Sequence, residues 1–292
     1  EAIEQTCSQV EEQVYELARH YGLAEKVDKA YRYYRLAAAK AEASYAIGEA
    51  YAYLRRAARL LERITCEPHG EKQGEVFRAR ERLDLDRGQG RLLLTLGDSE
   101  KALQAFTRAL ETAQELADPR QEAQSLLDLA VANGRAGDWE TAADLGRQSL
   151  ELARASDSEH PETLPLAPQV LLSSGFFAFE RGAWQEAKDS LQAALVMIDD
   201  LSSGGLSQAL ETGLVALRAR ILGNLGILYD AQGEHTKALD YFHSAADIFA
   251  SLDLPLDEGR ALNNLGYVYY RLGQHDKATT CFEAALARFE KV

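Results

Sequence analysis

Two stretches near the end of the chain decide its reading: "GNLGILYDAQGEHTKALDYFHSAADIFAS", residues 223–251, and "NNLGYVYYRLGQHDKATTCFEAALARFEK", residues 263–291. Aligned on Gly226 and Gly266, they carry the same residue classes at the same offsets. Gly226 is followed by Tyr229, Gly233, Ala238, Phe242 and Ala245, and Gly266 by Tyr269, Gly273, Ala278, Phe282 and Ala285. Such self-similarity is the first thing to seek in a chain of this length, because a repeat fixes the architecture before any local propensity does.

The pattern extends backwards. Gly90 leads to Leu93, Gly97, Ala102, Phe106 and Ala109, and Gly175 leads to Ala178, Gly182, Ala187, Leu191 and Ala194. A looser copy has Ala130, Asn133, Gly137, Ala142 and Ser149, with Gly146 in the aromatic slot. Steps of three, four and seven put these positions on one helix face. The second Gly of each copy separates two apolar-periodic runs and suits a left-handed helix end. Glu100, Glu140, Glu186 and Asp276 follow in the next first turn, where a helix favours negative charge. Each copy therefore reads as helix, tight turn, helix. Gly226 with Ala238, and Gly266 with Ala278, are expected to face one another so that the paired helices approach closely.

The motif L-G-x2-Y followed by A-x3-F resembles the tetratricopeptide repeat (TPR). Anchor spacings of 40, 45, 51 and 40 residues exceed that family's usual period of about 34, so longer helices or connections are expected. The resemblance implies an all-α fold, a right-handed superhelical α-solenoid of TPR hairpins. Residues 1–66 are read as N-terminal helices and irregular first repeats, and residues 67–292 as an array of five hairpins, in one continuous solenoid. Ala18, Tyr21, Ala30, Tyr34 and Ala37 keep the repeat offsets, as do Ala50, Leu54 and Ala57 in a further helix. Three helices plus five hairpins make 13, with the helix over 26–43 shared between two units. Breaks are expected at Asp118-Pro119, across 156–168, at Ser202–Gly205 and at Leu252–Glu258.

The run from "ELARHYG" through "AYRYYRLAAAKA" to "GEAYAYLRRAARLLERI" resembles the junction where repeats begin after the ATPase module of STAND-type signalling ATPases. This implies an ATPase module upstream in the same polypeptide, since no G-x4-G-K-[ST] motif occurs in this sequence. The sequence ends on a repeat helix carrying Phe282, Leu286 and Phe289, which are expected to be covered by something further.

Composition narrows the function. The net charge is −14, which argues against nucleic acid. The charge is uneven: residues 19–91 hold 16 Lys/Arg against 11 Asp/Glu, while residues 92–292 hold 16 against 30. No apolar run is long enough to suggest a membrane span. Cys7, Cys66 and Cys281 are too scattered for a disulfide framework or a zinc site, and point to a reducing cytoplasm.

A search for chemistry finds none. The six His lack metal-ligand spacing, and His235 and His275 occupy equivalent turn slots. Glu11-Glu12 and Asp199-Asp200 are sequence neighbours, which do not face one another on a helix. No catalytic residue, metal ligand or cofactor is expected. The remaining candidate is a binding surface on the first helix of each hairpin. Asn224 and Asn264, with Asn263, occupy slots from which arrays in the resembled family reach a peptide backbone. Arg220 and Arg260 stand one turn earlier, and Tyr267, Tyr270, Phe176 and Phe179 flank the stripe. An Asn amide can pair with both backbone groups of a peptide, and Arg with a carboxylate. The expected function is a non-enzymatic scaffold or sensor binding a protein or peptide, as the regulatory arm of a larger signalling ATPase or transcriptional regulator. The alternatives are a repeat domain that senses a small-molecule effector on the same aromatics, and a free-standing adaptor.

Overall fold

Thirteen α-helices make up the described part of the chain, residues 13–64, 71–202 and 207–291 of a computed structural model. Among the described residues there is no strand. The expected all-α solenoid of helical hairpins is the observed fold. The chain divides into two compact units, Glu1–Ala136 and Gly137–Val292.

The first unit holds α1 (Val14–Leu23), α2 (Val27–Ala43), α3 (Ile47–Leu61), α4 (Glu71–Thr95), α5 (Ser99–Glu115) and α6 (Pro119–Arg135), each packed on the next. Helix α2 plays the double role expected of it. Ala30, Tyr33 and Ala37 pack with Leu17, Ala18 and Tyr21 of α1. Tyr31 turns to Ala57 and Leu61 of α3, and Ala41 to Ala50. Tyr21 and Tyr33 stack with centroids 5.4 Å apart.

The second unit holds α7 (Trp139–Glu159), α8 (Ala167–Glu180), α9 (Trp184–Ser202), α10 (Gln208–Ala231), α11 (His235–Ser251), α12 (Pro255–Arg271) and α13 (His275–Phe289). Consecutive helices pack together, and so do α8 with α10 and α10 with α12. Among the described residues no such contact joins α9 to α11 or α11 to α13. The first helices of these hairpins thus lie closer together than the second helices, and form the inner layer of this unit.

The repeat slots explain the hairpins physically. Gly97, Gly137, Gly182, Gly233 and Gly273 all have positive φ, between 71° and 89°. At Gly233 the amide donates to the Asp230 carbonyl at 3.0 Å and the next amide, of Glu234, donates to Tyr229 at 2.9 Å. This pair of bonds closes the helix end and needs a left-handed residue between the two donors. Other turns do without Gly: Glu25, Tyr45, Ala117 and Asp253 adopt φ of 49–56°.

The first Gly of each copy lies directly against a large side chain of the second helix. A Cβ at Gly226 would lie 2.7 Å from the Phe242 ring, at Gly266 2.5 Å from Phe282, at Gly90 2.5 Å from Phe106, and at Gly175 2.8 Å from Leu191. The nearest neighbour is the large side chain of the second helix, and the Ala slots are the fully enclosed positions beside it: Ala102, Ala187 and Ala238 have no exposed surface, and Ala278 has 2%. Gly makes room for a ring, and Ala lets the backbone carrying that ring come close.

Two expected breaks are narrower than read. Helix α7 runs through Ser156 to Glu159 and α8 begins at Ala167, so only residues 160–166 are a loop. The extension is held by Asp157, whose carboxylate oxygens accept from the amides of Leu166 and Ala167, each at 2.8 Å. The break at 252–258 is confined to residues 252–254, with Pro255 opening α12. Asp118 caps α6 by accepting from the Gln121 amide, with Pro119 in the first turn, as expected. Residues 203–205 of the "SSGG" break, Cys7, Cys66, His69 and Glu11-Glu12 lie outside the described residues.

Candidate binding face of the second unit

The three first helices of the inner layer place their candidate residues by register. The slot immediately after the repeat Gly points outward on each: Phe176 on α8, Ile227 on α10 and Tyr267 on α12 are 42%, 38% and 56% exposed. A residue next to a Gly that faces its hairpin partner must point roughly 100° away around the helix, so this exposure follows from the packing at Gly175, Gly226 and Gly266. Ile227 was not among the residues picked from sequence, although its offset from Gly226 carried the signal.

Phe176, Phe179 and Asn224 come together. With Ile227 and Leu228 they line a shallow hollow between α8 and α10. Phe176 is held from the other side by an edge contact with Trp139, centroids 5.8 Å apart. Tyr267 and Tyr270 are exposed and are braced by the second helix of their own hairpin. The Tyr267 ring meets Phe282 edge-on at 5.3 Å, and the Tyr270 ring meets His275 at 5.4 Å. Asn263 and Asn264 are half-buried on α12.

Arg220 and Arg260 meet at one carboxylate. Arg220 Nη2 lies 3.4 Å from Asp257 Oδ2, and Arg260 Nη1 lies 3.6 Å from Asp257 Oδ1. Both guanidiniums are more than half exposed, while the Asp257 side chain is only 20% exposed. Two cations around one anion leave local positive charge on an otherwise acidic unit, and long, exposed pairs of this kind contribute little to stability. Asp257 is therefore a second position that the sequence pattern did not single out.

The other charged groups are tied into the scaffold. Arg271 bonds Asp230 at 2.9 Å, and Asp230 also contacts His235 Nδ1 at 2.9 Å. Arg288 bonds the buried Glu258 at 2.6 Å, and that bond raises the Arg288 pKa further. Asp199 is paired with Arg218. Burial pushes the Cys281 thiol up from its ordinary value, away from the reactive thiolate. Among the described residues no group of three His, Cys, Asp or Glu could hold a metal ion, and no helix is long and apolar enough to cross a membrane.

Comparison with known proteins bears on the fold. No curated protein matches the chain. Among the solved structures that share the fold, three illustrate it. BtubC (BKLC) from P. vanneervenii is 21% identical, covers 84% of this chain and 92% of its own, and has a TM-score of 0.62. The apo form of RapI is 12% identical over 96% of this chain and 98% of its own, with a TM-score of 0.64. The APC/C hetero-tetramer Cut9-Hcn1 offers a chain 17% identical that covers 95% of this one and 43% of its own, at 0.59. At these identities the likeness concerns the fold. The tetratricopeptide repeat family matches residues 80–155 and 217–291, more than half of the sequence and both of the stretches whose Gly slots admit a Phe ring. The chain is a member of the tetratricopeptide repeat family.

Proposed function

We infer that the chain is a non-enzymatic scaffold that binds a protein, through an extended peptide segment, on the inner layer of its second unit. The observation that carries this reading is the exposed row Phe176, Ile227 and Tyr267, set at one register slot on three neighbouring helices. Aromatic and Arg side chains on a surface are the residues from which binding hot spots are built. Phe179 and Asn224 border the row, and Arg220, Arg260, Asn263, Asn264 and Tyr270 supply its polar edge. The Asn amides would hold the peptide backbone, and the two Arg, sharing one Asp, would accept a further carboxylate from the ligand.

In the wider molecule this surface would be the regulatory arm of a signalling ATPase or transcriptional regulator in the cytoplasm, with the irregular helices of residues 1–66 joining an upstream ATPase module to the array of residues 67–292. The support for that part is the resemblance at the junction. The solved complex of Cut9 with Hcn1 is an example of the same fold in a protein assembly.

The test is a peptide-display selection on the immobilised chain, followed by calorimetry with the enriched sequence. Phe176→Ala, Tyr267→Ala and the pair Asn224→Ala with Asn264→Ala should each weaken binding by roughly tenfold or more, with helicity by circular dichroism unchanged. Enriched peptides that bind all these variants as tightly as the unaltered chain would remove the inner layer from consideration.

A further inference from the structure

A second charged surface lies in the first unit, on a helix the proposed peptide site does not use. Helix α3 buries Ala50, Ala57 and Leu61. Its opposite side carries Arg55, Arg56 and Arg59, and the turn that follows carries Arg63; all four are exposed. On a helix of 3.6 residues per turn Arg55, Arg56 and Arg59 fall within an arc of about 100°. Gly48 and Ala52, also exposed, continue the same face toward the helix start without bulk.

These four Arg pair with no carboxylate among the described residues. The nearest acid in sequence, Glu62, accepts from Arg82 of α4 at 2.7 Å. Their unpaired charge sits in the net-basic segment, residues 19–91, of a chain whose remaining residues are strongly acidic. Two of the four are held in place by rings. The Arg56 guanidinium lies 5.8 Å from the Tyr34 centroid and 5.7 Å from that of Tyr53, and Arg55 lies 5.7 Å from Tyr51. A guanidinium fixed on an aromatic face loses less freedom when it binds.

The spacing identifies the partner. Arg55 and Arg59 stand about 6 Å apart along the helix, and Arg63 follows at the same sequence interval in the turn just past the helix end. In an extended peptide, every second side chain falls on one face, about 6.7 Å apart. We propose that Arg55 and Arg59 of α3, with Arg63 of the turn that follows, dock an extended acidic segment of another protein, with carboxylates at alternate positions each taken by one guanidinium. Arg prefers such carboxylates because its planar fork can bond both oxygens. A nucleic-acid strand is disfavoured here on two grounds: the chain's net charge of −14 repels it, and the Tyr34 and Tyr53 rings already stack on one another, centroids 6.2 Å apart, with Arg56 beside both, which leaves them less free to take a base.

The experiment measures fluorescence anisotropy of a labelled peptide alternating Glu and Ser, against one of the same composition with its Glu residues grouped together. The chain should prefer the alternating peptide severalfold, and added salt should weaken the binding. The triple variant R55A/R59A/R63A should lose about tenfold in affinity, the sum of three weak, solvent-exposed ion pairs. R55K/R59K/R63K, which keeps the charge but not the fork, should fall between the two. The melting temperature of each variant confirms that the fold is intact. The proposal fails if no saturable binding occurs, if the two peptides bind alike, if the triple Ala variant binds as the parent does, or if an oligothymidine of matched charge binds this face more tightly than the peptide.

Discussion

Gly226 of α10 sits directly against the ring of Phe242 on α11, so close that a methyl group on the Gly would lie 2.7 Å from the ring. Gly223, three residues earlier on the same helix, has nothing within 4 Å of the corresponding position. The two glycines are equally costly to chain entropy in the unfolded state, yet only one is needed for packing. Gly226→Ala should destabilise the protein by about 1–3 kcal/mol through overpacking. Gly223→Ala should stabilise it by about 0.5–1 kcal/mol. Urea denaturation of the two variants should give opposite signs, and equal shifts would mean that the ring does not need the space.

Turn geometry makes a second pair. Gly233 has φ of +80° and Ala117 has φ of +49°. Both end a helix in the left-handed region, which costs an L-residue roughly 1–2 kcal/mol. Ala117→Gly should therefore raise stability by about 0.5–1 kcal/mol, the strain relieved less the added backbone entropy. Gly233→Ala should lower it by a similar or larger amount. Thermal melts resolve both; a destabilised Ala117→Gly variant would mean that the strain at that turn is too small to matter.

The repeat was legible because its signal is geometric. Offsets of three, four and seven residues recur at Gly90, Gly175, Gly226 and Gly266, and each of those Gly residues has a Phe or Leu of the next helix against it. The turn Gly residues were equally readable, since positive φ is what Gly is for at a helix end. What the pattern could not give was contact between side chains distant in sequence. That Arg220 and Arg260 share Asp257, 37 residues from Arg220, depends on how two hairpins stack. That Asp157 ties the end of α7 to the start of α8, and so lets the helix run on to Glu159, depends on bonds to residues nine and ten positions on. Which side chain comes nearest each Gly, the Phe or Leu of the next helix, was not readable, because helical periodicity gives a face and not a distance.

Asp157 supplies a third test. Its carboxylate satisfies two amide donors at the start of α8, one of them on Leu166, which is 1% exposed. The residue at the usual cap position, Leu166, has no side-chain acceptor to offer. Asp157→Ala should cost about 1–2 kcal/mol, the value of a lost cap with its donors left unpaired. Amide hydrogen exchange should accelerate at the start of α8 and in the loop before it, with α12 and α13 unaffected. Uniform acceleration over the whole second unit would mean that Asp157 supports the fold globally and not this one junction.

Two further caps make stability depend on pH. Asp98 and Asp138 accept from the amides of Lys101 and Thr141 at the starts of α5 and α7. Hydrogen bonding to Lys101 lowers the Asp98 pKa, the side-chain bond most, and hydrogen bonding to Thr141 lowers that of Asp138. Both groups thus bind protons less readily in the folded state than in the unfolded state. The stability they confer is complete above the ordinary carboxylate pKa, and it is lost as pH falls through the depressed folded values. The double variant D98S/D138S keeps a capping oxygen at each site but nothing that titrates. Melting temperatures taken from about pH 6 down to about pH 3 should fall less steeply for the variant than for the parent chain. Parallel curves would mean that the proton-linked stability of this protein resides in carboxylates other than its helix caps.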